Sequence, residues 1–413
     1  MRGQNVLLIA NNFPPTLGGS AVVYGNLGRH SGGRIVVLAP RAYYMDGLPI
    51  IGWREHDRRA PYRVVRTWLL RTLLDAGTGG GMFNRLRFMA SDLRQRLEVL
   101  ARILRLLRRG DIGAVCIGEL VASGWIIQFL RRFTRLRTAI YVHGEEILTE
   151  EPYDPGHRRA ARALRLADRI FVVSRFSGEA VRALIGEAYA PRIQLIENGV
   201  DTARFRPGAK RADLLATYGL AGCFVFVTVC RLLEKKGVDT AIRAMAAVGA
   251  RHGEARLLVV GSGPYEDELR RISAETKVTD RVIFAGNVPE ADLVDHYRLG
   301  DVFVMANRAL PNGDTEGFGL VFLEANACGI AVIGGTDGGT HSAVTDGENG
   351  LLVDGRALEA VIAAMLRLRE DDGLRAAMAA RGLAIAAAAG WERKTEAFLT
   401  GCLTEGAAHR AIG

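Results

Sequence analysis

Short, unbroken apolar runs alternate along this chain with stretches of helical period. Residues 5–10 (NVLLIA), 34–39 (RIVVLA), 114–118 (AVCIG), 138–142 (TAIYV), 169–174 (RIFVVS) and 192–197 (RIQLIE) read as strands covered on both faces. After residue 200 the rhythm starts again, with 224–229 (FVFVTV), 256–260 (RLLVV), 281–285, 302–305, 331–333 and 351–353. Helical segments lie between the strands, and an Ala-rich tail (358–389, then 391–402) is helical as well. Strand and helix in alternation predict an α/β protein with parallel sheets. Two separate runs predict two doubly wound halves facing a central cleft, with a hinge near residues 198–207. Residues 41–80 show no clear period.

Residues 82–109 are the most strongly patterned helix. Leu86, Met89, Leu93, Leu97, Leu100, Leu104 and Leu107 recur at three- and four-residue steps, and the other faces carry eight arginines. One reading packs this stripe on the sheet beneath a solvated arginine face. The other brings the helix to anionic lipid headgroups, aided by Met82 and Phe83 at its start.

The 413 residues suit two to three domains, and 49% hydrophobic with 24% charged residues is a globular balance. No apolar run is long enough to span a membrane and no cleavable leader is evident, so a cytoplasmic protein is expected. Five scattered cysteines (Cys116, Cys223, Cys230, Cys328, Cys402) lack the spacing of a zinc site or disulfide framework, and read as buried free thiols. No metal is expected. The charge is uneven: residues 1–200 hold 30 Arg, no Lys and 17 acidic residues, a net of +13, while the remainder is net −4. The front half therefore meets something anionic; nucleic acid, a membrane surface and an anionic substrate all fit.

Candidate chemistry concentrates at the ends of strands. Residues 312–327 (NGDTEGFGLVFLEANA) run from a polar loop into an apolar helix, with Glu316 in the loop and Glu324 about a turn inside. Gly317 and Gly319 flank Phe318, and free N–H groups at the helix start, up to Leu320, suit a phosphate or a sugar hydroxyl. An acidic helix start is the plainer alternative. Gly18-Gly19 follow the first strand, as a phosphate turn or a simple tight turn. His143 ends the 138–142 strand, where ligands of open α/β sheets bind. Arg231 and Lys236 bracket a strand-to-helix loop, as a diphosphate pair or as solvated cations. Gly261-Ser262-Gly263 lacks the third glycine of a dinucleotide fingerprint, because Glu266 stands there.

In order along the chain, NNFPPTLGG, YVHGEE, VSRFS, ENGVDTARFRP, VCRLLEKKGVDTAI, VVGSGPYEDEL and GDTEGFGLVFLEANACGIAVIGG resemble the retaining family-4 glycosyltransferases of GT-B fold. The likeness spans nearly the whole chain and is loosest between 41 and 137. The segment GDTEGFGLVFLEA looks most like the branch that uses GDP-mannose. The resemblance implies two Rossmann-like domains: residues 1–200 for the acceptor, 201–385 for the nucleotide sugar, and 386–413 as a helix crossing back to the first. It implies that Glu316 and Glu324, an E-x₇-E pair, hold the donor sugar and the ribose. Arg231 and Lys236 would bind the diphosphate, and His143 would meet the sugar near the reacting carbon. The N–H groups of Gly317, Phe318, Gly319 and Leu320 would face the phosphates, with Gly18 and Gly19 near them. Asn287 and Val288 would receive the base.

The implied reaction moves a hexose, mannose favoured, from a nucleotide-diphosphate sugar to a lipid-linked or glycan acceptor, without metal or other cofactor. Besides the sugar nucleotide and the acceptor, an anionic membrane surface is an expected partner through the arginine-rich first half, on the inner face of the cell membrane; nucleic acid is not. A UDP-sugar transferase, a sugar-nucleotide epimerase and a non-catalytic membrane-binding module remain as alternatives. One departure bears on the sugar: where the family reads GG-x-P-E, this chain has Gly338-Gly339-Thr340-His341-Ser342.

Overall fold

The structure, a computed structural model, describes residues 3–72, 82–149 and 154–404. It divides into two compact units, residues 1–196 with 391–413, and residues 197–390.

The first unit holds strands β1 (Asn5–Ile9), β2 (Ile35–Pro40), β3 (Arg63–Thr67), β4 (Ile112–Ile117), β5 (Arg137–Val142), β6 (Arg169–Val172) and β7 (Ile193–Leu195). All pair in parallel, in the order β3-β2-β1-β4-β5-β6-β7. The second unit holds β8 (Phe224–Val229), β9 (Ala255–Val260), β10 (Val282–Gly286), β11 (Val302–Met305), β12 (Ala331–Gly335) and β13 (Gly350–Val353), ordered β10-β9-β8-β11-β12-β13. Each sheet winds outward from its first strand, then reverses, between β1 and β4 in one and between β8 and β11 in the other. Those reversals are the crevices where doubly wound folds bind ligands.

The central strands are apolar throughout because helices cover both faces. Leu7, Ile9, Val115, Ile117, Ile140 and Val142 enter one core cluster, and Phe226, Leu257, Val259, Val304 and Ile333 enter its counterpart. The helix Trp391–Leu403 belongs to the first unit, where it buries Phe398 against Tyr141 and Phe171.

Three sequence expectations need correcting. Residues 41–80 contain a strand after all: β3 (RVVRT) pairs with β2 at the sheet edge, and its half-covered residues hide the apolar run of a central strand. A short helix, Trp53–Arg59, precedes it. The helix Met82–Leu107 packs only the end of its leucine stripe on the core, through Leu107. Val99, Ile103 and Leu106 make the core contacts, while Leu86, Met89, Leu93 and Leu97 are each more than half exposed. The Met82 and Phe83 side chains lie outside the described residues. Of the five thiols, Cys116, Cys328 and Cys402 are buried, but Cys223 and Cys230 are only partly covered.

Candidate active site

In the second unit the site residues come from the loops that follow β8 and β11, the two strands at the reversal. After β8 the chain makes a 3₁₀ turn, Glu234–Lys236, closed by Gly237. After β11 it runs through residues 306–319 before the helix Leu320–Ala327 begins. Two consecutive lysines tie these loops together. Lys235 Nζ lies 2.7 Å from Asp314 Oδ1 and 3.3 Å from the Thr315 carbonyl, and Lys236 Nζ lies 2.5 Å from Glu316 Oε2. Lys235 is only 3% exposed, so its charge is desolvated and the carboxylate is needed to hold it there. Burial by itself raises the Glu316 carboxyl, but the Lys236 ammonium, helped by Lys235 and the Phe318 N–H, outweighs this and keeps the group below its usual range. The Phe318 N–H donates to Glu316 Oε1, and the Gly339 N–H donates to the Glu316 carbonyl at 2.7 Å, so the loop is braced from both sides.

Gly319 caps the helix with φ 87°, a left-handed conformation that suits glycine, and any Cβ there would meet the Phe322 ring at 2.5 Å. Inside the helix, Glu324 Oε2 accepts a 2.6 Å bond from the buried Tyr297 hydroxyl. Burial lifts the Glu324 carboxyl above its usual range, against the pull of that bond. The 338–342 turn that departs from the family pattern is held by buried Asn307. Its amide donates to the Asp337 carbonyl and to Thr340 Oγ1 and accepts from the Gly335 N–H. His341 is exposed, with Nε2 3.0 Å from the Thr336 carbonyl.

Lys236 and Glu316 are thus in direct contact, with Glu324 on the helix that follows. Arg231 is exposed at the end of β8, and Asn287 and Val288 follow β10 at the sheet edge, Asn287 exposed and Val288 half-buried. Sequence reasoning overlooked Lys235, Asp314, Tyr297 and Asn307. Only the doubled lysine of EKKG gave a local hint of the first.

In the first unit Gly18 and Gly19 form an exposed turn between β1 and the helix Gly19–Arg29. Gly18 has φ 145°, and a Cβ there would meet Asn12 Nδ2 at 2.9 Å. That Asn12 amide donates to Ser20 Oγ, and Asn12 Oδ1 accepts from Thr16, so one side chain shapes the turn. His143 leaves the end of β5 with its ring stacked on Tyr141 and edge-on to Tyr24. The Glu146 carboxylate accepts the N–H groups of His143 at 3.0 Å and Gly144 at 2.9 Å, clamping the backbone after β5. Burial depresses His143 to about 4, so its imidazole is neutral near pH 7. The turn and the histidine meet through Tyr24, on the helix that Gly18 starts.

On the helix Met82–Leu107 the exposed leucines lie beside exposed arginines, and Arg63, Arg102, Arg105 and Arg109 converge on a pocket of about 90 Å³. Among the described residues no helix is long and apolar enough to cross a membrane, and no three His, Cys, Asp or Glu side chains are grouped to hold a metal.

Two doubly wound units with glycine-bearing loops at their reversals are those of the GT-B fold, and the chain belongs to the family-4 glycosyltransferases. Residues 77–204 match the model for Glycosyltransferase Family 4, and residues 221–384 that for Glycosyl transferases group 1. The chain is 34% identical to the GDP-mannose-dependent alpha-(1-6)-phosphatidylinositol monomannoside mannosyltransferase of Mycobacterium tuberculosis over 92% of each chain. It is 29% identical to the corresponding monoacylated-substrate enzyme of Corynebacterium glutamicum over 94% of this chain and 95% of that one. Among solved structures, Anabaena HepE in complex with UDP superposes with TM-score 0.73 at 19% identity, covering 95% of this chain and 98% of the other.

Proposed function

We propose that this chain transfers mannose from GDP-mannose, with retained configuration, to a mannosylated phosphatidylinositol or closely similar membrane glycolipid. The observation that carries the donor side is the Lys236–Glu316 contact across the two loops at the β8/β11 reversal. A diphosphate entering there takes over the Lys236 ammonium, with Arg231 as a second cation, and so neutralises the charge that builds on the leaving group. Glu316, freed from part of its pairing, accepts hydroxyls of the donor sugar. Glu324, oriented by Tyr297, accepts those of the ribose. Asn287 and Val288 meet the base. The N–H groups of Gly317 to Leu320 and the Gly18-Gly19 turn face the phosphates, and His143 meets the sugar near its reacting carbon.

No carboxylate is assigned as nucleophile. The bond from the anomeric carbon to the diphosphate breaks as the bond to the acceptor oxygen forms on the same face. The acceptor's proton passes to the leaving phosphate oxygen. On this reading the reaction needs no metal. Support for the acceptor comes from the names of the relatives and from the first unit, whose exposed leucines and arginines suit an anionic bilayer carrying phosphatidylinositol. This reading makes the protein a peripheral one.

The test is transfer from GDP-mannose to phosphatidylinositol monomannoside in vesicles, with and without EDTA, beside thermal shifts in GDP and UDP. Glu316→Ala and Lys236→Ala should each lower turnover by about 10²–10³-fold while remaining folded, and EDTA should change nothing. Stabilisation by UDP but not GDP, or full turnover by either variant, overturns the assignment.

A further inference from the structure

A tyrosine remote in sequence from His143 is hydrogen-bonded to its ring. Tyr24 is 1% exposed, and its hydroxyl lies 2.8 Å from the Gly118 carbonyl and 2.8 Å from His143 Nε2. A phenol has one hydrogen to give, and a carbonyl can only accept. Both bonds are therefore made together only if Tyr24 donates to Gly118 and His143 Nε2 carries the hydrogen that Tyr24 accepts. In the neutral ring this puts the lone pair on Nδ1. The arrangement is built in at the ends of three strands of the sheet: Tyr24 stands on the helix after β1, Gly118 directly follows β4 and His143 directly follows β5. Gly118 has to lack a side chain, since a Cβ there would sit 2.5 Å from the Tyr24 hydroxyl oxygen. Tyr141, stacked on the imidazole with ring centroids 5.2 Å apart, and Tyr24, edge-on at 5.2 Å, fix the plane of the ring.

We infer that Tyr24 is a positioning residue: through the Gly118 carbonyl it sets the tautomer of His143 and so makes Nδ1 the acceptor that meets the donor sugar. The last step rests on the transferase reading proposed above; the tautomer does not. Burial, which keeps the imidazole neutral, supports the assignment by leaving one nitrogen without a hydrogen.

The experiment is a ¹⁵N spectrum of histidine-labelled protein at pH 7, with His143 identified by the signal lost in His143→Gln. Wild type should show the Nε2–H neutral form. Tyr24→Phe removes the hydroxyl, and Gly118→Ala displaces it while leaving Tyr24 in the chain. Both should shift His143 toward the other tautomer and lower kcat by about tenfold, the worth of one buried hydrogen bond, with KM for the sugar nucleotide unchanged. A wild-type ring with its hydrogen on Nδ1 overturns the inference without any variant. So does an unchanged His143 signal in a folded Tyr24→Phe. A shifted tautomer with undiminished turnover overturns the positioning role while leaving the transferase reading intact. A wild type that transfers no mannose at all counts against that reading, and the spectrum still decides the tautomer.

Discussion

The two units hold their candidate residues by different forces. Residues 197–390 use charge: Lys235 with Asp314 and Lys236 with Glu316, consecutive lysines meeting carboxylates two positions apart on the facing loop. Residues 1–196 use neutral contacts: Tyr24, Gly118 and His143 joined by hydrogen bonds, with Tyr141 stacked beneath. On the proposed reading the charged unit receives the diphosphate leaving group, because its two lysines are already largely desolvated. On the same reading the neutral unit meets the sugar ring and its hydroxyls, where a fixed acceptor matters more than a strong field. The difference also separates stability from recognition. Breaking a buried ion pair strands a charge, whereas loosening a histidine changes which atom it presents.

The sharpest way to break the charged half is Lys235, which the proposed donor contacts do not require. Lys235→Ala leaves Asp314 without its buried partner and frees the loop that carries Glu316. The expected cost is about 3 kcal/mol of folding stability, read as a fall in the urea midpoint, together with weaker GDP binding. Lys236→Ala should cost less stability and more turnover, because Lys236 is the more accessible of the two. Equal losses of stability would contradict the distinction between a lysine that holds the loop and one that meets the ligand.

That distinction also explains what was legible. Glu316, Lys236 and the glycine turn could be picked out because each is one short stretch of sequence following a strand. The two α/β units followed from apolar runs that restart after residue 200, whereas the order of strands in each sheet did not, and β3 was missed. Tyr24 was invisible: it lies 119 positions from His143, and within its own helix it reads as one more apolar residue. The leucine stripe misled for a related reason. Periodicity shows that a helix has an apolar face but not what covers it. Here Val99, Ile103 and Leu106 took the core, and Leu86, Met89, Leu93 and Leu97 were left exposed. If those leucines enter a bilayer, Leu93→Ser with Leu97→Ser should cut binding to phosphatidylinositol vesicles by about 10–100-fold. The melting temperature should hardly move, since neither side chain is in the core. Turnover on a detergent-dispersed acceptor should survive. A large drop in melting temperature would instead mean that the stripe is covered by the protein itself.

The last effect concerns the neutral half and is read as a slope. Burial pushes Glu146 up to about 7 from its usual 4.5, against the two backbone N–H groups it accepts. A raised carboxyl binds its proton more tightly in the folded protein than in the unfolded chain. Its contribution is therefore full below pH 4.5 and is lost as pH rises toward 7. His143 runs the other way: depressed to about 4 from 6.5, it contributes stability above pH 6.5 that is lost as pH falls toward 4. In wild type the two trends oppose each other across the same window, and the stability of this region changes little. Glu146→Gln removes the falling one. Its melting temperature should start below wild type, since one amide oxygen cannot accept both N–H groups. The gap in unfolding free energy should then narrow by about 2–3 kcal/mol between pH 4.5 and 7, because the histidine trend is common to both proteins and only the Glu146 trend separates them. A gap of constant size would mean that Glu146 is ionised throughout, and that the clamp behind His143 belongs with the charged half of the molecule.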